Sequence, residues 1–153
     1  MNQSNRRPIV ATIFRFILAG VLLYAGGIKI MEPHGARDAI FAYRIFPPSW
    51  GNVLGYALPL LEIGLGLLLA MGLFVRVSAM ITAILMLSFV IGIASVWARG
   101  YSIDCGCFGG GGDISPAGRA ARYTQEIIRD LVFAGMGLWL FFKPRTLLAL
   151  EKI

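Results

Sequence analysis

Four long apolar runs, separated by short polar stretches, carry most of the chain. The first extends from about Ile9 to Ile30, behind a polar tail holding Arg6 and Arg7 and a proline, Pro8, suited to a first helical turn. Arg15 and Lys29, near its two ends, lie about 21 Å apart on a helix rising 1.5 Å per residue. Each is expected to snorkel toward an opposite face of a hydrocarbon core about 30 Å thick. A cleaved signal peptide has an apolar region of about 7–15 residues; this run is longer and reads as a retained span. The second run, about Tyr56 to Phe74, contains Pro59 and then Glu62, with Gly64, Gly66 and Gly72 allowing a neighbouring helix to approach. A tight connection at Arg76 leads into the third, about Val77 to Ala98. The fourth has only 12 purely apolar residues, Leu131 to Phe142, too few to span. It is therefore extended back to about Tyr123, which takes Glu126, Arg129 and Asp130 into or near the membrane.

The stretch from Met31 to Gly55 is polar enough to be a loop, yet Ile40, Phe41, Ile45 and Phe46 repeat at helical spacing after Pro33. It predicts a short helix lying on the membrane surface, stopped by Pro47-Pro48, with Trp50 and Tyr56 at the interface. Ser115-Pro116 predicts a cap and first-turn proline for a last helix starting near Ala117. The expected fold class is all-α: one domain, residues 1–153, an integral membrane four-helix bundle with an interfacial helix in its first loop.

Composition agrees. Of 153 residues 58% are hydrophobic and 14% charged, well below the roughly 25% charge of soluble domains. The net charge of +6 does not point to nucleic acid, because the basic residues cap apolar runs and form no stripe. Arg15 and Arg99 read as interface anchors and His34 as an ordinary interfacial histidine. Four spans place both termini on one side and the first and last long loops on the other. Each side holds seven Lys or Arg. The terminus side concentrates its charges in tails and one short turn, so the termini are expected in the cytoplasm and the other loops outside the cell (inner) membrane.

The candidate chemistry sits in the last loop, Ile103-Asp104-Cys105-Gly106-Cys107-Phe108-Gly109, followed by three more glycines. Both cysteines of the chain are here. Residues two apart can form a strained small-ring disulfide, a better oxidant than an unstrained one. Gly106 can take the angles such a ring needs. Nearby Arg residues and the following helix start favour a thiolate, and Asp104 opposes it. Two other readings stay open. Two thiolates are half of a zinc set, and no further Cys or His completes it at the usual spacing, though Cu(I) accepts two sulfurs. The thiols could also be inert. The glycine run is no phosphate loop, because it lacks both the strand and the Lys-Ser/Thr.

Parity brings polar residues to the same end. Lys29 closes the first span there, Glu62 lies about 9 Å into the second, and Arg129 and Asp130 lie at similar depth in the fourth. Two positive and two negative residues form one layer beneath Cys105 and Cys107. Ionisable groups inside spans are functional candidates by default; the alternative is a salt-bridge cluster that fixes helix packing. Glu62 is the carboxylate expected to relay a proton for the thiols.

These pieces together resemble the MauE branch of the DoxX-like membrane proteins: Arg15 to Lys29 followed by Glu32-Pro33, Leu58-Pro59-Leu60-Leu61-Glu62, Ala98-Arg99-Gly100, Cys105-Gly106-Cys107-Phe108-Gly109, and Arg129-Asp130. The Cys-Gly-Cys-Phe-Gly run is the specific part, since DoxX-type relatives generally lack it. The resemblance implies a four-helix membrane protein linked to methylamine utilisation, which helps a thioredoxin-like partner introduce disulfides into the small subunit of methylamine dehydrogenase. The bundle also looks like the quinone-coupled disulfide-forming proteins of the DsbB and vitamin K epoxide reductase type. It departs from them in having no cysteine between Met31 and Gly55, so a partner would exchange directly with Cys105 and Cys107. A membrane quinone as electron acceptor rests on that fold-level analogy. The resulting expectation is a thiol–disulfide redox protein serving a thioredoxin-like or secreted disulfide-containing partner, with Cys105, Cys107 and Glu62 in the chemistry and Lys29, Arg129 and Asp130 in support. The rivals are a non-enzymatic anchoring or assembly subunit and a transporter of metal or a small molecule.

Overall fold

The structure, a computed structural model, describes residues 3–150, with side-chain surroundings from Arg7 onward. Among these residues it is all-helical: α1 (Gln3–Met31), α2 (Pro33–Ala42), α3 (Pro48–Met71), α4 (Val75–Ala98) and α5 (Arg119–Phe142). Most of α1 (Arg7–Met31), together with α3 and α4, is long and apolar enough to cross a membrane. The chain is an integral membrane protein. α1 packs along α3 and α4 along α5, with α1 also meeting α5; α3 and α4 touch only lightly although a short turn joins them. Leu18, Leu22, Leu65, Leu69, Val75, Ala79 and Leu140 meet in the core between them. Large apolar side chains such as Leu60, Val77, Ile84, Ile91 and Phe142 point outward, the arrangement a lipid solvent allows and water does not favour.

Two loop boundaries differ from the sequence expectation. α2 opens at Pro33 as predicted but ends at Ala42, where Arg44 takes a left-handed φ of 51°. Pro47-Pro48 therefore does not stop α2. Pro47 is the extended residue before α3, and Pro48 is its first residue, a position whose backbone N–H has no helical partner to lose. Trp50 and Tyr56 accordingly lie within α3. At the other end, α5 starts at Arg119 behind Gly118 (φ 73°), two residues later than expected. Ser115 caps only the preceding turn, its Oγ accepting from the Ala117 amide at 3.4 Å.

Arg15 and Lys29 on α1 turn inward instead of snorkelling. Arg15 is fully buried: its guanidinium donates to Thr146 Oγ1 at 2.9 Å and to the Leu148 carbonyl at 3.2 Å. The segment after α5 folds back over it, held by the Leu147 amide on Thr12 Oγ1 (2.8 Å) and the Leu150 amide on the Met71 carbonyl (3.2 Å). Lys29 is 3% exposed and bonded to Glu62. A long cation bends toward an internal acceptor where one is within reach, because that is cheaper than an unpaired charge in an apolar span.

Candidate functional site

The loop between α4 and α5 is closed at its base by a short antiparallel pairing. Asp104 N–H donates to the Gly112 carbonyl at 3.0 Å and Ile114 N–H to the Ser102 carbonyl at 2.8 Å. Tyr123, fully buried on the first turns of α5, holds this base: its hydroxyl accepts the Ile103 amide at 2.8 Å and faces the Tyr101 carbonyl at 3.1 Å. Arg119 donates to the Gly100 carbonyl at 2.6 Å. The cysteines therefore ride on a rigid hairpin.

Its tip lies on α2 and on the end of α1. Gly106 (φ 66°) leaves no room for a Cβ, which would collide with that of Ala39, and a Cβ on Gly111 would strike the backbone at Gly35 and Ala39. Glycine is required at both points by contact as much as by backbone angle. Phe108 projects toward Tyr24 and lies under the Arg129 guanidinium, 4.5 Å from its ring centre. Tyr43, just after α2, donates from its hydroxyl to the Cys105 carbonyl at 3.1 Å, and its own carbonyl accepts from Arg99 at 2.6 Å. Arg99 thus ties α4 to the loop before α3 in addition to any role at the interface. His34 is exposed, with its ring near Arg37.

Both thiols are free and buried, Cys105 8% and Cys107 4% exposed. The Cys107 amide donates to Cys105 Sγ at 3.2 Å. The Glu126 carboxylate lies beside the Cys105 thiol, one turn after Tyr123 on the α5 face that holds the hairpin. The Cys107 thiol is pushed well above the ordinary range by its hydrogen bond with Cys105, then by burial and the negative charge of Asp130, with Arg129 opposing. It stays protonated through neutral pH. Burial, reinforced by the neighbouring thiols and acids, likewise holds the Tyr43 phenol above its usual range, so Tyr43 remains a donor.

The charged layer forms as two pairs. Lys29 Nζ binds both Glu62 oxygens, at 2.6 and 2.8 Å, deep between α1 and α3. Arg129 Nε meets Asp130 Oδ1 at 2.9 Å on α5. The Arg129–Asp130 pair acts on Cys107 and, through Phe108, touches the loop. Both Glu62 oxygens are taken by Lys29, and the carboxylate that reaches a thiol is Glu126. Sequence reasoning placed Glu126 at the membrane without assigning it to the site. The available signal is helical spacing: Tyr123, Glu126 and Asp130 are three and four residues apart, hence on one face of α5. Tyr43 carried no comparable signal, because its role depends on how α2 folds over the loop. Among the described residues no three His, Cys, Asp or Glu side chains group as a metal centre would need.

The family description "Methylamine utilisation protein MauE" matches residues 7–143, nearly the whole chain. No curated protein matches the chain at a significant level. No solved structure does so either. The matched stretch spans all the apolar helices, the cysteine hairpin and the paired charges beneath it, and on that ground this chain belongs to the MauE family of methylamine utilisation proteins.

Proposed function

We propose that the protein is a membrane thiol–disulfide redox protein supporting disulfide formation in an extracytoplasmic partner, within methylamine utilisation. The observation that carries the reading is the company of the cysteine pair: an amide on Cys105 Sγ, a carboxylate at its thiol, and the Arg129–Asp130 pair beside Cys107. Inert thiols need none of these. In the oxidised form, a thiolate of a thioredoxin-like or secreted partner attacks the Cys105–Cys107 disulfide and forms a mixed disulfide. The partner's second thiol then closes its own disulfide and leaves two thiols on this chain. Resetting the pair removes two electrons and two protons.

Those electrons need a lipid-soluble acceptor. An apolar cavity of about 460 Å³ opens where α3 and α4 meet lightly, walled by Phe46, Leu58, Phe89 and Tyr43 among others. Tyr43, Leu58, Phe89 and Ile40 also line a narrower space that reaches Cys105 and Lys29. This lining fits a flat apolar ring, and a membrane quinone held there would supply the two-electron sink.

In this reading α5 is the fourth span. Its 24 residues reach about 36 Å, and its outward face carries Ile128, Leu131, Val132, Leu138 and Phe142, while Glu126, Arg129 and Asp130 turn to the hairpin and pairs. α2 lies at the interface on the outer side, with both termini cytoplasmic.

The burial of both thiols favours a second reading, an accessory subunit in which the cysteines only pack the loop. A redox titration in membranes, read by thiol alkylation, separates the two. The proposal expects a reversible couple above about −300 mV, the level below which structural disulfides usually sit. Thiols reduced at every poise, together with normal partner maturation by the Cys105→Ser/Cys107→Ser protein, would leave the accessory role.

A further inference from the structure

We infer that Glu126 is the proton acceptor for Cys105, which makes Cys105 the thiolate-forming member of the pair. The inference rests on the redox reading and adds to it the residue that moves the proton. The step is simple: the Cys105 S–H bond breaks, an O–H bond forms on Glu126, and the electron pair stays on sulfur. The reverse transfer protonates Cys105 when the disulfide is reduced. Three observations converge. The carboxylate lies beside the thiol, one turn after Tyr123, whose hydroxyl bonds the Ile103 amide and so turns this face of α5 to the cysteine loop. Its Oε2 is buried with no hydrogen-bond partner, an acceptor with unused capacity in a place where that is costly. The Cys107 amide points at Cys105 Sγ from 3.2 Å, placing a fixed donor where negative charge would develop.

Cys107 offers no such arrangement. It faces the Asp130 charge, and its Sγ is directed at Cys105, with the Cys105 carbonyl at 3.9 Å. Glu62 is bound on both oxygens by Lys29. Asp130 is held by Arg129 through Oδ1, and although its buried Oδ2 has no partner, its charge acts on Cys107 and raises that thiol instead of releasing its proton. The charged and titratable groups facing Glu126 are Arg129 and Asp130 on its own helix, Asp104 and Cys105 on the hairpin, and Tyr43 after α2. Asp104 is itself within 4.0 Å of Arg122. Arg129, one turn from Glu126, keeps the site from accumulating negative charge when the carboxylate is ionised.

The test reads Cys105 alone, with no partner or acceptor required. In Cys107→Ser protein, the rate of Cys105 alkylation by iodoacetamide is measured against pH, with and without Glu126→Gln. The inference expects the Gln variant to react roughly 10²-fold more slowly at neutral pH, the low end for a lost acid–base group, and to converge with the parent at high pH. Glu126→Asp, which keeps the carboxylate, should recover part of the rate, and it carries the test if the Gln protein does not fold. Arg76→Gln, at the opposite end of the bundle over Phe141, serves as a control with an unchanged profile. Superimposable pH profiles for Glu126 and its variants would overturn the inference, whether or not the pair proves redox-active in membranes. A slow Gln variant in a protein whose thiols never cycle would instead refute the redox reading and leave the proton contact standing.

Discussion

At the residue scale the paired charges decide what the buried layer does. Lys29 and Glu62 are 3% and 1% exposed and make two short bonds. Neither side chain has water to fall back on, so removing one charge strands the other. Glu62→Gln is expected to lower the amount of folded protein, with a cost of about 3 kcal/mol, the low end for breaking a buried pair. Replacing both partners with apolar residues of similar size, Lys29→Met with Glu62→Met, should restore the folded yield, since a matched apolar pair needs no counter-charge. Size-exclusion yield in detergent and thiol reoxidation per folded molecule are the two measurements. A double variant that folds fully yet reoxidises slowly would return Glu62 to the proton relay that its position in the span first suggested. Arg15 shows why position alone is a weak guide. Its place near the start of an apolar run suggested an interface anchor, but the returning segment around Thr146 and Leu148 buries it completely.

At the element scale the hairpin depends on Tyr123. Its hydroxyl satisfies the buried Ile103 amide, and the pairing of residues 102–104 with 112–114 closes just above it. Tyr123→Phe removes that acceptor and leaves an amide unpaired, at about 1–3 kcal/mol. The helices should be unaffected, while the loop opens more often. Maleimide labelling of Cys105 and Cys107 is expected to accelerate with circular dichroism unchanged; an unchanged labelling rate would mean that α2 and the glycine contacts hold the tip without it. The long apolar helices were legible in the sequence because length and hydropathy alone set them. Pro33 was legible as a helix start for the same reason that Pro48 was misread. A proline marks a first helical turn and a stop equally well, and only the extended Pro47 and the left-handed Arg44 separate the cases. The layer of Lys29, Glu62, Arg129 and Asp130 followed from span parity. The Glu126–Cys105 contact did not, because it depends on which face α5 turns to the hairpin, and that is set by Tyr123 reaching the loop base.

At the scale of the whole molecule the structure sharpens the question of sidedness. Arg15, Thr146, Leu148 and Met71 gather at one end, and the hairpin, α2 and the start of α3 at the other. Positive-inside bias is a matter of charges in loops and tails. Counted over the whole sequence, each end has seven Lys or Arg. Arg15 is buried inside its helix at the terminus end; Lys29 and the half-buried Arg129 lie inside the bundle at the hairpin end. Setting these aside leaves six at the terminus end, from Arg6, Arg7, Arg76, Lys143, Arg145 and Lys152, and five at the hairpin end, from Arg37, Arg44, Arg99, Arg119 and Arg122. The balance favours cytoplasmic termini and an outward hairpin, and the terminus-end charges sit in tails and a very short turn, where the bias acts most strongly. A membrane-impermeant maleimide applied to intact cells after mild reduction is expected to label Cys105 and Cys107, slowly because both are buried, and faster in the Tyr123→Phe background. A cysteine introduced at Arg76 should label only after lysis. The opposite pattern, with Arg76→Cys labelled in intact cells and the hairpin protected until lysis, would invert the molecule and remove an extracytoplasmic partner from reach of the pair.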